Sequence, residues 1–106
     1  MAKGDFVGEF ELYVMLALEH LGPTAYGVAV RQEIERRTKR GVAIGAVYAT
    51  LGRLQDKGLV EFTLSDPQPV QGGRGRKHFS LTPAGRRALR HSTKMLHRML
   101  EGWAPR

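Results

Sequence analysis

Between residues 8 and 21 the chain places Phe10, Tyr13, Val14, Leu16, Ala17, Leu18 and Leu21 at helical spacing. Apolar side chains then occupy nearly every side of that helix, which predicts burial on more than one face. Gly22-Pro23 ends it, because proline disfavours helical backbone in the residue before it. A second helix is predicted over 25–38, with Thr24 as N-cap, Tyr26, Val30 and Ile34 stacked four apart, and Arg31, Glu33, Glu35, Arg36 and Arg37 facing outward. Gly41 closes that segment. The stripe Ile44, Val47, Tyr48, Leu51 and Leu54 predicts a third helix over 44–57, stopped by Gly58 in left-handed backbone. Alternation follows: Val60, Phe62 and Leu64 with Glu61 and Thr63, then Phe79 and Leu81 with His78 and Ser80. Two strands thus flank a loop rich in Pro, Gly and Gln over 65–75. Thr82 as N-cap and Pro83 in the first turn open a last helix over 83–103.

That last helix carries Leu89, Ser92, Leu96, Met99 and Trp103 at alternating steps of three and four, the seam of a helix pair, widened by Ala88, Met95 and Leu100. At 1.5 Å per residue it is about 30 Å long, more than so small a body covers. A second copy of the chain under two-fold symmetry is the simplest partner, with Phe10, Tyr13 and Val14 of the first helix as the other contributors to the interface. The third helix is unusual in a different way. Its outer face is Gly45, Ala46, Ala49, Thr50, Gly52 and Arg53, where an ordinary exposed helix would carry Glu, Lys and Gln. Small side chains let the helix axis approach another surface closely.

Composition narrows the choice of that surface. The chain has 106 residues, 17 Lys+Arg against 10 Asp+Glu, a formal charge of +7 and no cysteine. One small domain is expected, and disulfides and cysteine-based zinc sites are excluded. The longest apolar run, 12–18, is too short to span a bilayer and is preceded by Asp5, Glu9 and Glu11, unlike a signal peptide, so a cytoplasmic protein with no membrane partner is expected. Charge is segregated: residues 1–30 carry a net −3, 31–58 +4, 59–73 −2 and 74–106 +8. Two basic blocks of this size point to a polyanion, nucleic acid before membrane. Enzymatic readings find no support. His20, His78, His91 and His97 lack metal-ligand spacing, and Gly72-Gly73-Arg74-Gly75 lacks the Gly-Lys-Ser/Thr ending of a phosphate-binding loop. No cofactor is expected.

The order helix, helix, helix, strand, basic loop, strand, helix is that of a winged helix-turn-helix, a mainly α (α+β) fold with a two-stranded wing and here a C-terminal dimerisation helix. Residues 1–82 are expected to form the DNA-binding part and 83–106 the dimerisation helix, as one compact unit. In this fold the third helix enters the major groove and the wing reaches phosphates or the neighbouring groove. The candidate DNA contacts are therefore Arg40, Gly45, Ala46, Tyr48, Ala49, Thr50 and Arg53, with Arg74, Arg76 and Lys77 on the wing, whose glycines allow close backbone approach. The cations Arg86, Arg87, Arg90, Lys94 and Arg98 read mainly as the solvated side of the last helix.

At this point the residues resemble a known family, the PadR-like transcriptional regulators. The resemblance runs through Leu16-Ala17-Leu18, Gly22-Pro23 and Tyr26-Gly27, then Val47-Tyr48-Ala49-Thr50-Leu51-Gly52-Arg53-Leu54 with Gly58-Leu59-Val60. It closes on Gly73-Arg74-Gly75-Arg76-Lys77 and Phe79-Ser80-Leu81-Thr82-Pro83-Ala84-Gly85. It implies a dimeric repressor on a pseudo-palindromic operator in double-stranded DNA, released by a small, often aromatic, effector. Met95, Met99 and Trp103 are the candidate effector pocket. Two departures stand out: Ala49 where many members have proline after the tyrosine, and His78 where many have an aromatic residue. A single helix after the wing places the chain with the short members of the family. The competing reading is a winged helix used for protein contact, its basic wing and bare third helix meeting an acidic partner.

Overall fold

The computed structural model describes residues 7–64 and 76–105. Helices α1 (Glu9–Leu21), α2 (Gly27–Thr38) and α3 (Ile44–Asp56) are followed by strands β1 (Val60–Leu64) and β2 (Lys77–Leu81) and by helix α4 (Pro83–Leu100). The strands pair antiparallel, Val60 opposite Leu81, Phe62 opposite Phe79 and Leu64 opposite Lys77. This is the winged helix-turn-helix that the order of elements predicts. Its core gathers Val14, Met15 and Leu18 of α1, Val30 and Ile34 of α2, Val47, Leu51 and Leu54 of α3, and Phe79 and Leu81 of β2. Helix α1 touches α2, α3, β2 and α4, which is why nearly all its sides are apolar.

Two expectations need correction. Thr24 is not the N-cap of α2: residues Gly22–Thr24 form a short 3₁₀ turn, the Thr24 hydroxyl donates to the Leu21 carbonyl, and extended Tyr26 takes the cap position. Residues 25 and 26 are instead spent on the sheet, where Tyr26 bridges His78 and the Phe79 amide donates to the Ala25 carbonyl at 2.9 Å. Helix α2 ends at Thr38 as predicted, with Lys39 in left-handed backbone, φ 60°, as its cap. Finally, α4 ends at Leu100, so Trp103 lies beyond it, after Gly102 at φ 78°.

The end of α3 and the start of α4 share one junction. Gly58 adopts φ 75°, its amide donates to Gln55 and that of Leu59 to Leu54, the paired bonds of a Schellman stop. The Thr82 hydroxyl donates to the Gly58 carbonyl at 2.7 Å and accepts from the Gly85 amide at 3.0 Å, while the Thr82 amide donates to the Leu59 carbonyl. Gly85 sits so close to that carbonyl that any Cβ would overlap it. The Thr-Pro-Ala-Gly run is thus the geometry of a helix start pressed against a strand start.

An ion-pair cluster ties α1 to the far end of α3. Glu11, mostly buried, accepts from the Gly8 amide at 3.0 Å and from Lys57 Nζ at 3.0 and 3.1 Å, with Arg53 Nε 3.9 Å away. Burial opposes ionisation of Glu11, but the Gly8 amide, Lys57 and Arg53 together outweigh it and hold the carboxyl below its ordinary value of 4.5. Its contribution to stability is therefore complete above about pH 4.5 and lost as pH falls through the lower, folded-state value.

Two outcomes follow for stability. Gly85→Ala should cost about 1–3 kcal/mol through overpacking against Leu59, whereas Gly52→Ala, in mid-helix open space, should gain about 0.5–1 kcal/mol; thermal unfolding of the two variants checks the contrast. Glu11→Gln should lower stability at neutral pH by about 1–2 kcal/mol and flatten the fall of stability on acidification, read from denaturant unfolding across acidic pH.

Candidate nucleic-acid interface

Helix α3 turns its apolar stripe inward and leaves Gly45, Ala46, Tyr48, Ala49 and Arg53 at the surface. Four of those five project no further than a methyl group or a ring lying against the body. The ring of Tyr48 packs over Gly27, the first residue of α2, where a Cβ would overlap the tyrosine, and meets Phe79 edge-on at 6.5 Å between centroids. Gly27 therefore exists for Tyr48. The outer surface of α3 is left low and free of carboxylates until Asp56.

Thr50 is a correction: at 1% exposure it faces the core, and its hydroxyl accepts from Arg53 Nη2 at 2.9 Å. It can act on a bound surface only through that arginine. Arg53 itself lies between Thr50 and Glu11 with its outer edge in solvent. Arg40 is exposed in the connection between α2 and α3, next to Val42, whose amide the Glu35 carboxylate fixes at 2.9 Å. Arg36 and Arg37 are both engaged by Glu33, whose carboxyl Arg37 and then Arg36 hold below the ordinary value, so much of that basic cluster serves α2 itself.

At the base of the wing, cations lie on aromatic faces. The Arg76 guanidinium sits 4.4 Å from the centroid of Tyr26, and Lys77 Nζ 4.5 Å from that of Phe62. His78, in the place of a family aromatic, meets Tyr26 edge-on and donates from Nε2 to the Gly22 carbonyl at 3.0 Å, since a carbonyl can only accept. Arg74 and its glycines lie outside the described residues.

The helix-pairing residues divide. Val14, expected at a partner interface, is wholly enclosed by this chain's core, and Leu89 is buried where α4 crosses α1; both belong to the monomer because the first turns of α4 already lie on its body. Phe10, Tyr13 and Ser92 are half-buried. Beyond them the stripe is uncovered: Leu96 is 47%, Met99 80% and Trp103 63% exposed. Open cavities of about 230 Å³ each run along α1 and α2, lined by Phe10, Tyr13, Leu16 and Ile34 among others. The candidate effector residues Met95, Met99 and Trp103 are at the far end of α4, away from them. Among the described residues no helix is long and apolar enough to cross a membrane.

Sequence reasoning missed Glu11, Lys57 and Gly27. Gly27 left a signal, a glycine in a helix start directly after an aromatic residue; Glu11 has a local partner in the Gly8 amide, but Lys57 is 46 residues away along the chain.

Comparison with known proteins agrees with this arrangement. The transcriptional regulator Rv3488 of Mycobacterium tuberculosis is 38% identical over 74 residues, a stretch covering 70% of this chain and 64% of that protein. A PadR-like transcription factor from Bacteroides fragilis superposes with a TM-score of 0.68 at 28% identity, covering 90% of this chain and 89% of that one. A PadR family transcription regulator from Clostridium difficile shares the fold, with a TM-score of 0.71 at 22% identity over 89% of this chain and 96% of its own. The model of the transcriptional regulator PadR-like family matches residues 15–91, from the core of α1 through the wing into α4. The chain therefore belongs to the PadR-like family of DNA-binding transcriptional regulators.

Proposed function

We propose that two copies of this chain join along α4 and the outer side of α1 and repress transcription from a pseudo-palindromic operator. The observation that carries the dimer is the uncovered end of α4, where Leu96, Met99 and Leu100 continue, into solvent, the stripe that Leu89 buries against the body, with Trp103 exposed just beyond the helix. Phe10 and Tyr13 on α1 offer half-buried apolar surface of the same kind. Two-fold symmetry then sets two α3 helices in successive major grooves about 34 Å apart. Gly45, Ala46 and Ala49 let each helix sit deep, Tyr48 borders the phosphates, and Arg40, Arg53, Arg76 and Lys77 supply cations. Occupying the operator excludes polymerase.

A small aromatic effector fits between Met95, Met99 and Trp103 of the two copies, where thioether and indole groups supply polarisable contacts. It would release the operator by favouring another angle between the two α4 helices, and so another spacing of the two α3 helices. The rival occupant of the basic face, an acidic protein, separates by its salt response, because DNA binding carries a steep counterion-release slope.

Replacing Leu96 and Met99 together by glutamate should give a monomer by light scattering, with operator affinity down by about a hundredfold once the second reading head is lost. Fluorescence anisotropy with the duplex upstream of the protein's own coding region, against scrambled duplex at two salt concentrations, measures the second quantity. Unchanged mass would refute the dimer, and equal weak binding to both duplexes the operator.

A further inference from the structure

We infer that Glu11, a residue of α1 outside the DNA-facing surface, is a specificity-determining residue: it holds Arg53 for a neutral acceptor on a base edge and against a phosphate. The inference rests on α3 binding DNA. Glu11 is fixed, its side chain 11% exposed and its oxygens held by the Gly8 amide and by Lys57. It has no freedom to swing away when a polyanion arrives. Arg53 Nε lies 3.9 Å from Glu11 Oε2, and its Nη2 donates to buried Thr50 at 2.9 Å, so one edge of the guanidinium is tied to the protein. The other edge is in solvent, the side chain being 58% exposed.

A phosphate taken by that outer edge would bring a full negative charge close to a second, immovable one. Repulsion across a partly buried site is poorly screened. A guanine edge, with its N7 and O6 acceptors, carries no net charge and escapes most of this penalty while still accepting two N–H groups from arginine. Lys57 is restrained in the same way, 3.0 Å from the carboxylate and only 30% exposed. Glu11 thus subtracts a charge from the end of α3 for sequence-independent binding and leaves the directional donors of Arg53 in place. Were it a structural ion pair alone, its removal would weaken every duplex alike.

The test uses the full chain, its wild-type binding site selected from a random duplex library, and a scrambled duplex as the non-specific probe. Affinities of wild type, Glu11→Gln, Arg53→Gln and the Glu11→Gln/Arg53→Gln double variant are measured over a salt series, well below each melting temperature. Glutamine keeps an acceptor for the Gly8 amide and for Lys57, so the loop and the helix contact are retained. In Glu11→Gln the scrambled duplex should bind about three- to tenfold tighter, with a salt slope steeper by about 0.9, the value of one additional phosphate contact. With affinity for the selected site unchanged, the preference for it should fall by about the same three- to tenfold. In the Arg53→Gln background the same change should leave the preference unmoved. An unaltered slope and preference in Glu11→Gln, parallel weakening on both duplexes, or a full effect without Arg53 would each overturn the inference. Failure of the wild type to select any site would instead overturn DNA recognition by α3, and this inference with it.

Discussion

The approach of the first turn of α4 to the carbonyl of Leu59 sets the rest of the molecule. Three chain segments meet there: the stop of α3 at Gly58, the start of β1, and the turn from β2 into α4 at Thr82. Each bonds to another through groups that a helix end or strand end would otherwise leave unpaired, so the junction satisfies the backbone of all three at once. The missing side chain at Gly85 is the condition for it. Because α3 and α4 leave the same point, the direction of the α4 stripe is fixed relative to the surface of α3. The proposed pairing stripe and the proposed DNA surface are thereby built on one corner.

A second close approach seats α3 from its other side. Tyr48 lies flat on Gly27, and through Phe79 it reaches the sheet, so the tyrosine at the edge of the exposed face is also a wedge between α2 and the wing. Its ring nonetheless stays exposed on the outer side of α3. The stacked cations extend the same economy. Arg76 on Tyr26 and Lys77 on Phe62 set their charged groups over aromatic faces, so residues that pack the base of the wing also carry its cations.

The order of elements, the inward stripe of α3, the strand alternation and the Thr82 cap were legible because each depends on neighbours within a few residues. Residue period alone could not say which side of an all-round apolar helix meets another subunit. Tyr13 and Val14 are adjacent and equally apolar, yet one is half-buried at the surface and the other wholly enclosed. The start of α2 was misplaced for a related reason: residues 25 and 26 pair with β2, a tertiary bond that overrides the helix propensity of the segment. In α4 the pattern ran correctly to Leu100 and then past the helix, since the sequence spacing of Trp103 continues the seam although Gly102 turns the backbone away. Of the interface, the bare face of α3 was visible as composition, whereas the Glu11 cluster joins residues whose proximity exists only after folding.

Charge in α4 makes the proposed pairing depend on apolar contact more than on attraction. Between Pro83 and Leu100 the helix holds Arg86, Arg87, Arg90, Lys94 and Arg98 and not one carboxylate. Among the described residues Arg86 alone of these has a carboxylate contact, Glu19 of α1 at 3.5 Å, at the end of α4 that lies on its own body. Two such helices side by side repel along their solvated sides, and the repulsion is screened by salt within about 10 Å. Burial of Leu96, Met99, Leu100 and Trp103 does not weaken with salt, and kosmotropic salts strengthen it. In the proposed dimer, raising ionic strength would therefore act in opposite senses, weakening the attraction of α3 and the wing for DNA while relieving the repulsion between copies. The proposed dimer is thus most secure under the conditions in which DNA would hold it least.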